Sequence, residues 1–421
     1  MVWIGALIVI LTFVAIIRQY ETRMVLFISG LAMCLVGSGM LKGFEGAMDA
    51  FTKAMVNPGL VTVICTVMGF AFVMKLTKCD SHLVHFLAGG LGKLGPVLIP
   101  GAVFVTFAIN IALPSAAGCA AAVGAVLIPT LIGAGVHPAV AASAVMAGTW
   151  GSAFNPGNSH NPFTAKLAGT DPVSVIASFT NAALVGIVIV AISLTLMAIV
   201  RKENKGYESP ETVHVGDGFK VNFLMALIPM VPLILLLLGS KQVNLLPWAI
   251  TVPQAMIIGV FLGFLTMIKD PSAISKQFWA GLGEAYGSVI GIIIAAAVFT
   301  AGMQAIGLTQ ALIEAMKNSQ QIAQFGATFG PMIIAILSGS GDAATLAFNG
   351  AITPHAKDFG YGIIEMGSTA FLAGSLGRTM SPVAGAAIVC AGLARISPIE
   401  ITKRNGPGCI VAAIAVMVIL L

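Results

Sequence analysis

Apolar runs recur along the whole chain with little charged interruption. "MVWIGALIVILTFVAII" (Met1–Ile17) and "LVGIVIVAISLTLMAIV" (Leu184–Val200) are continuous blocks, not alternations. Runs near 18–20 residues are long enough to cross a bilayer core as helices, and barrel strands would alternate apolar with polar residues. About a dozen such segments are legible. The pattern predicts an all-α polytopic membrane protein. Two stretches are weakly apolar and charged: "KGFEGAMDAFTKAM" (Lys42–Met55) and "DPSAISKQFWAGLGEAYG" (Asp270–Gly287). They predict amphipathic helices along the membrane surface. The first block lacks the basic lead and small-residue cleavage site of a signal peptide, so it reads as a retained span.

The pattern repeats. "AGTWGSAFNPGNSHNPFTAKLAGTDPVSVI" (Ala147–Ile176) lies without gaps over "AGSLGRTMSPVAGAAIVCAGLARISPIEIT" (Ala373–Thr402). Ala147, Gly148, Gly151, Pro156, Leu167, Ala168 and Pro172 meet Ala373, Gly374, Gly377, Pro382, Leu393, Ala394 and Pro398. Upstream, "SAAGCAAAVGAVLIPT" (Ser115–Thr130) faces "SGSGDAATLAFNGAITP" (Ser338–Pro354), and Ser115 and Ser340 hold matched places in the two halves. The expected organisation is a first repeat half over 1–200, a polar linker over 201–220 and a second half over 221–421. Six counted crossings per half would make the repeats parallel. Pro229, Pro232, Pro247 and Pro253 interrupt Val221–Ile268, and an odd count there makes the repeats inverted, the reading preferred here.

Composition narrows the class. Of 421 residues, 58% are hydrophobic and 9% charged, far below the quarter charged in soluble domains. A net charge of +5 reflects loop lysines and arginines, not nucleic-acid binding. Placing Lys42, Lys53, Arg201, Lys202, Lys205, Lys220, Arg395, Lys403 and Arg404 in the cytoplasm satisfies the positive-inside rule and puts the amino terminus there too. Five of the six cysteines lie in apolar segments and Cys79 reads as exposed, so no disulfide framework is expected. His82 and His85 stand near Cys79 and Asp80, but the spacing is short, and no metal site or cofactor is expected. No H-E-x-x-H, P-loop or G-x-S-x-G context occurs. That argues against an intramembrane protease, a primary pump or a lipase, and no enzyme is expected.

The chemistry concentrates where the spans break. "GTWGSAFNPGNSHNPF" (Gly148–Phe163) and "GSLGRTMSPVAG" (Gly374–Gly385) carry Gly and Pro inside spans. Open backbone at membrane depth is tolerated only within protein or against a water-filled cavity, and paired broken helices point to a transporter's midplane site. "LPSAAG" (Leu113–Gly118) and "LSGSGDA" (Leu337–Ala343) read as tips of re-entrant hairpins whose arms are too short to cross. Ser115 and Ser340 are expected on opposite sides of one cavity. Arg378, a costly charge inside a span, either grips a substrate carboxylate with its planar fork or pairs permanently with Asp342. Asp342 is the candidate ion-coupling group, able to take a proton or join a sodium site. Ser115, Asn155, Asn158, Ser159 and Asn161 of the first half, and Ser338, Ser340, Ser375, Thr379 and Ser381 of the second, are the remaining candidate substrate ligands.

"GSLGRTMSPVAGAAIVCAGLARISPIEITKR" (Gly374–Arg404) resembles the end of the DcuC-type anaerobic C4-dicarboxylate carriers, and "SGSGDA" and "LPSAAG" resemble that family's hairpin tips. The resemblance implies a multi-pass bacterial inner-membrane secondary carrier for succinate, fumarate or a similar dicarboxylate. It also implies the ion-transporter superfamily architecture, with inverted repeats, re-entrant hairpins and a scaffold that often dimerises. Two features depart from the family pattern: Asp342 stands where Asn is expected, and the first broken stretch is more polar. The expected function is secondary active transport of a small organic anion, by symport with sodium or protons or by antiport. Carriage of another carboxylate, such as an amino acid or citrate, is the alternative, and so is an ion channel or cation–proton antiporter.

Overall fold

The computed structural model describes the chain apart from residues 19, 90–96, 209–218, 241–242, 244, 246–247, 249, 267–269 and 318–319. The middle of the expected linker and parts of Val221–Ile268 therefore lie outside the described residues. The first half runs α1 (Val2–Ile17), α2 (Thr22–Ser38), α3 (Met40–Met55), α4 (Pro58–Leu76), α5 (Cys79–Ala88), α6 (Leu98–Ala112), α7 (Ala116–Gly133), α8 (Pro138–Gly148), α9 (His160–Ala168) and α10 (Pro172–Val200). The second runs α11 (Phe223–Leu227), α12 (Val231–Leu238), α13 (Val252–Thr266), α14 (Pro271–Ala285), α15 (Gly291–Ala305), α16 (Leu308–Lys317), α17 (Gln320–Ser338), α18 (Gly341–Ala351), α19 (Ile363–Thr379), α20 (Gly385–Ala394) and α21 (Pro398–Leu420).

The long helices start in a common way. Asn57, Asp171 and Asp270 accept a hydrogen bond from a first-turn amide, and proline follows each at the first helical position. Proline has no amide to leave unsatisfied there, and its fixed φ suits the helix. Six helices among the described residues, counting α14–α15 as one, are long and apolar enough to cross a membrane. They include the hairpin arms α7 and α17, which are longer than the sequence reading allowed; only their partners α6 and α18 are short.

Both hairpins form. Leu113–Ser115 joins α6 to α7, and Gly339 and Ser340 join α17 to α18. Ser115 caps α7 by accepting from the Gly118 amide, as Ser340 caps α18 from the Ala343 amide. Ser115 and Ser340 thus each head the second helix of their hairpin, the matched places expected of them. Gly339 has φ +75°, and a Cβ there would meet the Val383 carbonyl at 2.8 Å. Glycine thus lets the second tip both turn and lie on the break between α19 and α20.

Two pairs of long helices meet antiparallel. Gly186 of α10 lies against Ala412 and Val416 of α21, while Gly408, earlier on α21, lies against Val190 and Ser193, later on α10. Likewise Gly69 of α4 faces Phe278 and Leu282 of α14, and the Tyr286 hydroxyl donates to the Met55 carbonyl, before α4 begins, at 3.1 Å. Antiparallel counterparts are the arrangement that an inverted repeat produces.

Three expectations need correction. The segment Asp270–Gly287 is not a separate surface helix. α14 passes through a π turn at Tyr286–Ile290 into α15 as one helix of 35 residues, because Gly281 lets it pack on the backbone of Met68 and Gly69. Its counterpart α3 folds back along α2, with Gly43 on Cys34 and Phe51 edge-on to Phe27. Cys79 is buried, not exposed, and its thiol is pushed up by burial. The basic residues do not share one face. Lys42 and Lys53 gather near Gln304 with Lys166, close to where α10 begins, whereas Arg201 caps the other end of that 29-residue helix. Gly5 packs on Ile306 and Leu308, so the amino terminus lies at the Lys42 end.

The largest apolar core draws on α5–α10 and on α17 and α19–α21 together. Smaller cores hold the remainder: one joins α1 and α2 to α15, α18 and their neighbours, and another joins α4 to α12 and α13. The α10–α21 contact is closed by Arg404, 2% exposed, whose Nε and Nη2 reach both carboxylate oxygens of Glu203 at 2.8 and 2.5 Å. Its Nη1 donates to the Glu400 carboxylate and carbonyl, each at 2.8 Å. Arg404→Ala strands Glu203, and breaking a buried pair costs roughly 3–5 kcal/mol. The effect falls at the lower end, since Glu400 keeps solvent. A lowered melting temperature in detergent, only partly restored by Arg404→Lys, is the expected result; an unchanged one removes this latch from the account.

Candidate functional site

The two hairpin tips and the two breaks converge on a cavity of about 240 Å³. Hairpin 1 contributes Pro114, Ser115 and Ala116; the first break contributes Ser152, Gly157, Asn158 and Ser159. The second half contributes Asp342, Phe371, Ser375 and Arg378. The remaining wall is apolar: Ile64, Val67 and Met68 of α4, and Val289 beside α15. Asp342 is 60% exposed, yet that exposure is to this cavity within the protein.

The polar sequence of the first break is explained by backbone repair. Asn110 of α6 accepts from the Ser152 amide at 2.7 Å, and Asn155 donates to the Ile111 carbonyl at 2.8 Å. Asn161 donates to the carbonyls of Ala153 and Asn155, each at 2.8 Å. Backbone groups freed by the interruption are thus satisfied inside the protein. Asn110 was missed by the sequence reading. A lone Asn near the end of an apolar arm, just before a tip, was the available signal.

The expected ligands divide in two. Ser115, Asn158, Ser159, Ser375 and Arg378, with Asp342, line the cavity. Asn155, Asn161, Ser338, Ser340, Thr379 and Ser381 do not. Ser338 donates to Ile334 O, Thr379 to Ser375 O and Ser381 to Ile336 O, at 2.7–2.8 Å. These six hold the scaffold of the tips and breaks. Ser340 is itself a cap; the wall beside it is formed by Asp342, two residues on.

Arg378 and Asp342 are not ion-paired. Arg378 Nη2 donates to the Thr149 carbonyl at 2.9 Å, and its buried Nη1 has no hydrogen-bond partner. Asp342 Oδ1 instead contacts Nε2 of His160 at 3.0 Å. His160 is 1% exposed, stacked on Phe371 with ring centroids 4.2 Å apart. The sequence reading overlooked it, because "SHN" reads as polar filler in a break. The amino-terminal end of α7 also faces the cavity, and helix N-termini favour anions. The wall thus carries one guanidinium and one carboxylate, both from the second half, with His160 of the first half in contact with the carboxylate.

A larger cavity of about 960 Å³ adjoins the site and shares Met68, Pro114 and Ser115 with it. Lys75, Lys78, Asp80, His85 and Glu284 line it. The tip of hairpin 1 stands between the two spaces. His82 and His85 serve packing at its rim: His85 stacks on Phe219 at 4.1 Å, and His82 Nδ1 accepts from the Asn222 amide at 3.1 Å. Among the described residues no cluster of three or more His, Cys, Asp or Glu side chains is placed to hold a metal ion.

Comparison with known proteins places this arrangement. The chain resembles two solved transporters: Neisseria gonorrhoeae MtrF, described as one of a class of antimetabolite efflux pumps, and Alcanivorax borkumensis YdaH. The TM-scores are 0.61 and 0.60, each at 15% identity and over 92% of this chain, covering 84% and 89% of those chains. At that identity the likeness is one of fold. An uncharacterized transporter of Haemophilus influenzae is 40% identical over 273 residues, 62% of this chain and 97% of that protein. The anaerobic C4-dicarboxylate transporter DcuC of Escherichia coli K12 is 25% identical over 446 aligned positions, gaps included, covering 99% of this chain and 95% of that protein. The model of the DcuC family, the C4-dicarboxylate anaerobic carriers, matches residues 4–421, and the chain is a multi-pass membrane transporter belonging to that family.

Proposed function

We propose that this carrier moves a small dicarboxylate such as succinate or fumarate across the bacterial inner membrane by ion-coupled transport or exchange. The observation that carries the proposal is the Arg378 fork, fixed at one edge by Thr149 and without a partner on Nη1, facing a cavity beside the α7 N-terminus. Arginine matches a carboxylate with two parallel hydrogen bonds. Ser115, Asn158, Ser159 and Ser375 offer neutral donors for the rest of the ligand. The volume of about 240 Å³ lies under the roughly 300–1,000 Å³ of drug-sized pockets, which suits a short substrate. Membership of the DcuC family and the name of the Escherichia coli relative support the C4 class.

Asp342 is the coupling group in this reading, as the acidic side chain of the cavity wall. The face holding Arg201, Lys202, Lys403 and Arg404 is cytoplasmic by the positive-inside rule. The larger cavity with Lys75 and Lys78 then leads from the site along hairpin 1. Uptake of labelled succinate into proteoliposomes, under imposed sodium and proton gradients in turn, is the test. Saturable uptake, competed by fumarate and driven by one of the gradients or by internal dicarboxylate, is expected. Non-saturable flux indicates a channel, and competition only by an amino acid or citrate ends the dicarboxylate reading.

A further inference from the structure

We infer that His160 and Asp342 form one proton-binding pair whose loading admits the second carboxylate of the substrate, so that the coupling ion is a proton. The inference rests on the dicarboxylate reading of the site and deepens it. Its basis is the contact between Nε2 of a histidine 1% exposed and Oδ1 of an aspartate that opens into the cavity.

Charge in the cavity decides the matter. With Asp342 ionised and His160 neutral, Arg378 and Asp342 sum to zero. A doubly charged ligand brought there meets one favourable guanidinium and one repelling carboxylate. One proton added to the pair takes the wall to a net single positive charge. The proton comes from solvent, forms an N–H or O–H bond within the pair, and returns to solvent when the ligand leaves; no other bond changes. Interacting groups this close share the proton, so it belongs to the pair and not to either residue. Ligand and proton then each favour binding of the other.

The surroundings single the pair out. Arg378 faces it from α19, and the Cys119 thiol of α7 faces Arg378, with Cys390 of α20 behind. α10 contains no titratable side chain, and α15 contains none. Cys65 and Lys75 are the titratable groups of α4, of which Lys75 lines the larger cavity and neither lines the site. Tyr286, in the π turn, points its hydroxyl to Met55. Lys166 of α9 lines two other cavities, and Glu365 lies at the opposite end of α19 from Arg378. A sodium ion would favour a shell of oxygen ligands, whereas here a ring nitrogen occupies one oxygen of the carboxylate. Histidine is also the side chain whose ordinary titration falls near neutral pH.

The experiment is titration calorimetry of fumarate into the full-length protein in detergent, from pH 6 to 8, in buffers of different ionisation enthalpy. Fumarate keeps its charge over this range. The expected result is uptake of about one proton per fumarate and affinity falling by up to about tenfold for each pH unit of rise. Sodium is expected to change neither. His160→Gln keeps a donor beside Asp342 but removes the ring nitrogen that shares the proton with it. Fumarate binding in this variant should lose its pH dependence between pH 6 and 8, with circular dichroism and melting as controls on folding. Fumarate binding by the unmodified protein without proton uptake, or with a sodium requirement, overturns the proton coupling alone. Absence of binding by fumarate and succinate alike overturns the dicarboxylate reading beneath it.

Discussion

Arg378→Ala lowers succinate affinity at least about a hundredfold while the protein still folds. A buried charge that loses its partner costs roughly 3–5 kcal/mol, and about 2.7 kcal/mol is already a hundredfold in affinity. The sequence left open a rival in which Arg378 pairs with Asp342. Among the described ion pairs, Asp342 is joined to His160 and Arg378 to none, while Arg378 spends one nitrogen on the Thr149 carbonyl. That bond aims the guanidinium but does not neutralise it. Arg378→Lys keeps the charge without the planar fork and should fall between the alanine variant and the unmodified protein. Equilibrium binding of labelled succinate, with yield and melting temperature beside it, decides the matter. Near-normal affinity in a well-folded Arg378→Ala protein removes the arginine from the binding role.

Gly157→Ala should reduce dicarboxylate exchange in proteoliposomes by at least about tenfold, an estimate based on a clash in a tightly packed contact. Gly157 sits in the first break with its α-carbon against Val67 of α4, and a Cβ there would run into both methyl carbons of that valine. Valine is stiff at χ1 and has little room to turn aside. The obstruction is the Val67 side chain down to its β-carbon, 2.7 Å from the added Cβ, so Gly157→Ala with Val67→Gly should recover part of the exchange. Counterflow of labelled succinate in the single and double variants measures it. A single variant of full activity shows that the break does not need this close approach, and a double variant as poor as the single shows that the damage lies elsewhere.

Much of this was legible in the sequence for a physical reason. Apolar runs, proline starts and glycine breaks act locally, so the broken spans and both tips could be placed from residue order. The place of Arg378 on the cavity wall followed from the cost of a charge inside a span. Long-range matters were less accessible. His160 and Asp342 are 182 residues apart and meet only because hairpin 2 lies against the first break. Six expected ligands lie off the cavity and bond to the backbone of the tips and breaks, since an Asn or Ser in a break serves a freed backbone group as readily as a substrate. The amphipathic stretch after Asp270 was read as a surface helix because charge is visible in sequence, whereas the Gly281–Gly69 approach that draws it inward is not.

The wall formed by Ile64, Val67, Met68 and Val289 offers the ligand no hydrogen-bonding side chain. Every polar group of the cavity belongs instead to the hairpins and breaks, most of whose elements share one large core with α10 and α21, while α18, which carries Asp342, packs with α1, α2 and α15. Such a surface would serve as a bearing if one body moved past the other. Dispersion contacts along it are individually small and non-directional, so a shift of one body past the other exchanges each for a similar one. A substrate seated among the tips and breaks would travel with them, its bonds intact, and the barrier to that travel would be set by steric fit at points such as Gly157, not by the breaking of hydrogen bonds.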